Sequence, residues 1–234
     1  MSSEVMKIIE QAEREGRKKL LEHEVYTISK HFGLPVPKFG LAHDEDEAVR
    51  IAKDIGYPVV LEIVSPDIVH KSDVGGVVLD VKSDMGVREA FRKIMNNVKN
   101  AAPNARVVGI LVQEMVPYGL EVIVGGLRDA VFGPVIMFGL GGVFVEVLKD
   151  VSFRIAPLYP EDIDEMIREI KAYRVLEGYR GEPPRDIDSI KDIIYKVSKL
   201  MLEVEKIREL DLNPIMLYRK GEGAKIADAR MVIG

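Results

Sequence analysis

The chain has 234 residues, 47% of them hydrophobic, with 33 basic against 38 acidic residues and a formal net charge of −5. That is enough apolar material for a sizeable core in one large domain or two small lobes, and the interleaved charges exclude the basic stripe of a nucleic-acid binder. There is no run of 18 apolar residues, no signal core behind Met1-Ser2-Ser3-Glu4 and no cysteine, so membrane spans, secretion, disulfides and thiolate chemistry are excluded and a cytoplasmic location is expected.

In chain order, residues 4–32 carry helical spacing, with Leu20, Leu21, Val25, Ile28 and Phe32 in one stripe that ends at Gly33. The acidic run Asp44 to Glu47 reads as a helix start, favoured by the helix dipole, and Gly56 closes that helix before Pro58. An apolar strand, Val59 to Val64, leads into a polar loop that contains His70 and ends at Gly75-Gly76. A second strand follows from Val77 to Val81, then a helix from about Met85 to Asn97 and a strand from Val107 to Met115.

Pro117-Tyr118-Gly119 breaks the pattern and opens a strand-rich half: Leu120 to Gly126, Val135 to Phe138, Val143 to Leu148 and Phe153 to Ala156. Helices are expected over Pro160 to Lys171 and Ile187 to Glu203, separated by a polar loop at 178–184. Short strands at Ile207 to Asp211, Pro214 to Tyr218 and Lys225 to Asp228 finish the chain. Two lobes hinged near residues 114–119 are expected, and a cleft between lobes is a usual place for a ligand.

Three segments are polar where a purely structural chain would be plain. The first, Ser65 to Gly76, sets His70 in a loop at a strand end, with Lys71 and the amides around Gly75 and Gly76 able to hold phosphate. The plain alternative is an exposed histidine in an ordinary surface loop. The second, Phe132 to Glu146, punctuates strands with glycines that open no helix, so it is neither a P-loop nor a dinucleotide fingerprint. In the third, period-two spacing puts Glu209, Asp211 and Asn213 on one strand face while Leu210 and Leu212 face the core. Oxygen ligands on one face, with Asp228 and Arg230 downstream, suit a hard cation such as Mg2+ held together with nucleotide phosphates.

Taken together, SPDIVHKSDVGGV, FGPVIMFGLGGVFVEVLKDVSFRIAPL and ELDLNP make the chain resemble, from about Glu24 to its carboxyl end, the beta subunit of an ADP-forming acyl-CoA synthetase of the acetate–CoA ligase type. The resemblance implies an α/β (α+β) ATP-grasp fold of two lobes with a nucleotide cleft between them, akin to the succinyl-CoA synthetase beta subunit. It implies an N-terminal helical arm over 1–16, a small lobe over 17–115 carrying the His70 loop, and a larger lobe over 116–234 with the metal and nucleotide site. The reaction implied converts acyl-CoA, ADP and phosphate to acid, CoA and ATP, with a CoA-binding alpha subunit as partner in an alpha2beta2 assembly.

Residue by residue, His70 matches a phosphohistidine, and Asp211 the carboxylate that orients its imidazole. Asn213 and Asp228 match Mg2+ ligands, Glu114, Met115 and Val116 a hinge that meets adenine, Glu121 a ribose partner, and Arg230 a phosphate contact. Lys71, Gly75 and Gly76 belong to the nucleotide side of the same match. One position departs from the pattern, since relatives carry lysine in the strand before the His loop and this chain has Glu62. Either Lys71 compensates for it from the loop or Glu62 pairs with another basic residue. The rival readings are a nucleotide-sensing regulatory module that transfers no phosphate, and the ATP-grasp half of a split acyltransferase regulator.

Overall fold

A computed structural model describes residues 3–142 and 149–234, so the strand expected over 143–148, with its Phe144 and Glu146, lies outside the described residues. The chain forms two compact units, one from Met1–Leu20, Val25–Val36 and Val116–Gly234, the other from Leu21–Glu24 and Pro37–Met115. The helical spacing over 4–32 resolves into two helices, α1 (Ser3–Arg14) and α2 (Glu22–His31), instead of one continuous stripe. Residues 18–20 leave the helix because their backbone pairs with the end of the chain: Leu20 N–H donates to Met231 O at 3.1 Å and Ile233 N–H to Lys18 O at 2.7 Å.

The smaller unit is built from β1 (Phe39–Ala42), α3 (Glu45–Ile55), β2 (Val59–Val64), β3 (Val77–Val81), α4 (Asp84–Ala101) and β4 (Gly109–Glu114). Its antiparallel sheet has the order β1-β4-β2-β3. Every residue of β2 except Glu62 is buried, which explains its near-continuous apolar sequence. Val59, Leu61 and Ile63 pack with Ala48, Ala52, Phe91 and Ile94 of α3 and α4. The acidic start of α3 is confirmed, with Asp44 Oδ1 accepting the Glu47 N–H at 2.8 Å. Helix α4 is longer than its spacing suggests, and Ser83 caps it by accepting the Gly86 N–H.

In the larger unit, β5 (Leu120–Asp129), β6 (Gly133–Leu140) and β7 (Val151–Ile155) are followed by α5 (Pro160–Glu169), α6 (Tyr173–Glu177) and α7 (Ile187–Glu203). The chain closes with β8 (Ile207–Leu217), β9 (Ala224–Ile226) and β10 (Ala229–Ile233). The antiparallel sheet runs β10-β8-β5-β6-β7, with β9 on β8. Ile190, Ile193, Ile194, Val197 and Met201 form the buried face of α7, which packs on β5 and β6.

Two expectations are corrected in this unit. Asn213-Pro214 does not end a strand: β8 runs through it, and the ladder to β5 steps from Val122↔Ile215 to Val124↔Leu212, three residues of β8 against two of β5. Proline has no N–H to offer the ladder, and a bulge absorbs that loss. The last strand, β10, was not expected; its partner is β8, more than ten residues away in sequence, so no local turn announces it. No helix among the described residues is long and apolar enough to cross a membrane.

Leu61 is fully buried in the middle of the smaller sheet. Replacing it with alanine should lower unfolding free energy by about 2–5 kcal/mol, read by denaturant titration.

Candidate active site

In the smaller unit, β2 and β3 are joined by residues 65–76, and His70 stands exposed at the tip beside Val69, which is 68% exposed. Both roots of the loop are tied down. Asp67 Oδ2 accepts the Arg106 N–H at 2.7 Å and Ile68 is buried. On the other side Ile63 N–H donates to Gly76 O at 2.8 Å, and Asn97 Nδ2 donates to Gly75 O at 3.0 Å. A Cβ at Gly76 would lie 2.5 Å from Ile63 Cγ2, and one at Gly75 would lie 2.6 Å from Asn97 Nδ2. Packing against Ile63 and the Lys71 carbonyl therefore restricts position 76 to glycine, whereas at 75 it is the positive φ of 62° that favours one.

The amides of both glycines are used within the loop. Gly75 N–H already donates to Ser72 O at 3.1 Å and Gly76 N–H to Lys71 O at 2.8 Å, so neither amide is open to an anion in this loop conformation.

Lys71 turns its side chain under the loop instead of outward. Its ammonium is 2.7 Å from Glu22 Oε1 and also pairs with Glu62 Oε1, and the three side chains are only 12%, 15% and 19% exposed. Burial alone would lower the lysine pKa; Glu62 and Glu22 outweigh it and hold the pKa above its ordinary value. Glu62 thus has Lys71 as an ionic partner. Glu22 was missed by sequence reading, because 40 residues separate it from Glu62 and no spacing rule links them.

Four residues expected at the metal and phosphate site come together in the larger unit. Asp211 of β8 lies opposite Arg230 of β10. Asn213 N–H donates to Asp228 O at 3.1 Å, and Arg230 Nε lies 3.8 Å from Asp228 Oδ2. The alternation along β8 is as expected, with Leu210 and Leu212 buried and Glu209 and Asn213 exposed. Burial pushes the Asp211 carboxyl above its ordinary value; Arg230 pulls against that shift and Asp228 adds to it. Among the described residues no three His, Cys, Asp or Glu side chains cluster as metal ligands. An amide and a carboxylate oxygen at Asn213 and Asp228 nonetheless fit Mg2+, which takes few protein ligands when phosphates supply the rest.

The remaining expected residues sit as follows. Glu114 Oε2 accepts the Lys38 N–H at 3.1 Å, and Met115 N–H donates to Pro58 O at 3.3 Å, so both are engaged within the smaller unit. Val116 is the first residue of the longest segment of the larger unit. Glu121 lies on β5 against Gly141 and Gly142: Gly141 N–H donates to Glu121 O at 2.8 Å, and a Cβ at Gly141 would meet Glu121 Cβ at 2.8 Å. The glycine-punctuated turn is thus shaped around Glu121.

Residues 11–233 match the family model described as an ATP-grasp domain. The chain is 54% identical over 226 residues to the acetate–CoA ligase (ADP-forming) I subunit beta of Pyrococcus furiosus, covering 97% of this chain and 96% of that one. It is also 54% identical over 203 residues to the acetate–CoA ligase (ADP-forming) I of Archaeoglobus fulgidus, covering 87% of this chain and 29% of that longer protein. Among solved structures, the dinucleotide forming acetyl-coenzyme A synthetase 1 of Ca. Korarchaeum cryptofilum is similar in two states. With coenzyme A, acetyl-coenzyme A and a phosphorylated phosphohistidine segment in its site I orientation, it gives a TM-score of 0.92 at 48% identity, over 98% of this chain and 100% of that one. With coenzyme A and Mg-AMPPCP, its phosphohistidine segment pointing towards the nucleotide binding site, it gives 0.86 at 46% identity, over 98% and 100%.

The raised carboxyl of Asp211 has a measurable signature. An ionised Asp211 is penalised by folding, so its cost is absent well below the ordinary carboxylate value of about 3.9 and grows as pH rises through the folded value. Asp211→Asn should therefore unfold at a higher denaturant midpoint than the parent at pH 7, with the two curves converging near pH 3.

Proposed function

The chain belongs to the ATP-grasp family and, within it, to the beta subunits of ADP-forming acetate–CoA ligases, and on that premise we propose that His70 is the residue through which its phosphoryl group passes. The observation that carries this reading is the exposure of His70 at the tip of a loop whose two roots are tied to β2 and its neighbours. An imidazole is nucleophilic near neutral pH and a good leaving group once phosphorylated. In the ATP-forming direction an N–P bond on His70 breaks as a bond forms from phosphorus to a terminal oxygen of ADP, and the imidazole is released. In the reverse direction the imidazole nitrogen attacks the γ-phosphorus of ATP, and ADP leaves with the bridging oxygen.

Asp211 is the group assigned to hold the ring N–H, fixing tautomer and orientation as carboxylates do for other catalytic histidines. Asn213 and Asp228 would hold Mg2+, which when bound neutralises charge on the phosphates. Arg230 is assigned to transferred phosphate, Glu121 to the ribose, and Glu114 to Val116 to the adenine hinge. Because the Gly75 and Gly76 amides and the Lys71 ammonium are engaged within the smaller unit, phosphate recognition is assigned chiefly to the larger unit's Arg230 and the metal ligands. The A. fulgidus protein, of which this chain matches 29%, supports a partner that supplies the remaining segments, and we place a CoA-binding alpha subunit in that role in an alpha2beta2 assembly. We assign the assembly to the cytoplasm, where a reaction that draws on ATP and CoA finds both. The regulatory-module reading is not favoured, since the P. furiosus ligase subunit is matched over 96% of its length.

Incubating the assembled enzyme with labelled ATP and Mg2+ should give an acid-labile, base-stable label that His70→Asn abolishes; nucleotide binding without label overturns the carrier role. Separately, Asn213→Ala and Asp228→Ala should each raise the Mg2+ concentration needed for half-maximal labelling about tenfold, corresponding to roughly 1.4 kcal/mol. An unchanged Mg2+ dependence removes them from the metal site.

A further inference from the structure

The ion triad formed by Glu22, Lys71 and Glu62 has no part in the phosphoryl transfer described above. Lys71 follows His70 directly, yet its ammonium is turned inward to Glu22 at the start of α2 and Glu62 in β2. One ammonium is shared between two carboxylates. Glu22 Oε2 is buried and has no hydrogen-bond partner among the described residues. Around it, the loop's packed roots contrast with its tip, where Val69, His70, Ser72 and Asp73 are exposed and the closing contact is a 3.3 Å hydrogen bond from Asp73 N–H to His70 O.

We propose that Lys71 is a positioning residue and that Glu22–Lys71–Glu62 is a charge-sensitive catch, holding the His70 segment on its unit while the imidazole is bare and releasing it when the imidazole is phosphorylated. This rests on the reading of His70 as phosphoryl carrier and extends it to what times the segment's movement. A phosphoryl group adds roughly −1.5 to −2 charge and three strong acceptor oxygens, one residue from an ammonium already shared by two carboxylates. The new anion at the exposed tip attracts Lys71 and repels Glu22 and Glu62, in competition with pairing inside the little-exposed triad, which salt screens least. Phosphorylation thus weakens the docked arrangement by the same charge that has to be carried away. Dephosphorylation restores the triad and returns the segment.

The test is hydrogen exchange of the peptide spanning residues 65–76 in the assembled enzyme, with and without Mg-ATP, alongside phosphohistidine labelling. In the parent enzyme Mg-ATP should speed exchange in this peptide about tenfold, and in His70→Asn it should not. Glu22→Gln and Glu62→Gln, each removing one anion and keeping the lysine, should exchange faster before phosphorylation and respond little to Mg-ATP. Lys71→Arg should restore the parent pattern, which a merely structural lysine-packing role does not require. Parent-like exchange in both glutamine variants, or an equal Mg-ATP response in His70→Asn, overturns the catch while leaving the carrier role intact. Absence of label on the parent enzyme overturns both.

Discussion

An ammonium withdrawn from water at the base of the loop between β2 and β3 is the constraint around which that loop is arranged. Lys71 reaches both Glu22 and Glu62, so it is loss of the lysine, which leaves both carboxylates without this counter-charge, that is costly. Glu62 is the one residue of β2 that is not buried, and it can remain in an otherwise apolar strand because the lysine meets it there. The glycines at 75 and 76 then let the loop close against Ile63 and Asn97 tightly enough to aim Lys71 inward and His70 outward.

The larger unit solves a different problem, keeping several oxygen-bearing side chains on one face of a sheet whose other face packs on helices. Alternation from Glu209 to Asn213 in β8 does most of this, and the bulge at Asn213-Pro214 lets the strand continue without the missing proline N–H. Pairing with β10 then brings Arg230 opposite Asp211. Asp211 stands where burial disfavours its charge, with Arg230 offsetting part of that cost.

Membership of the family explains why two dissimilar units occur in one chain. Their polar residues differ: the smaller unit carries His70 and the Glu22–Lys71–Glu62 ion pairs, and the larger carries Asp211, Asn213, Asp228 and Arg230 on and beside β8 and β10. The match to a full-length beta subunit and to under a third of a longer ligase shows the same module both free-standing and as part of a longer chain.

The sequence by itself determined the elements with strong local signals. The acidic cap of α3, the apolar β2, the two-residue period of β8 and the three motifs that fix the family were all legible because each depends on neighbours a few residues apart. It placed His70 in a loop and put Asp211 and Asn213 on one face for the same reason. Only the tertiary structure decided that residues 18–20 leave helical geometry to join the last strand, that β8 passes through Pro214, that β10 exists, and that the loop glycines spend their amides internally. It alone paired Lys71 with Glu62 and with Glu22, a residue 49 positions before it in sequence. Burial, long-range strand pairing and the matching of charges out of water depend on which distant segments the fold brings together, and no local pattern encodes that.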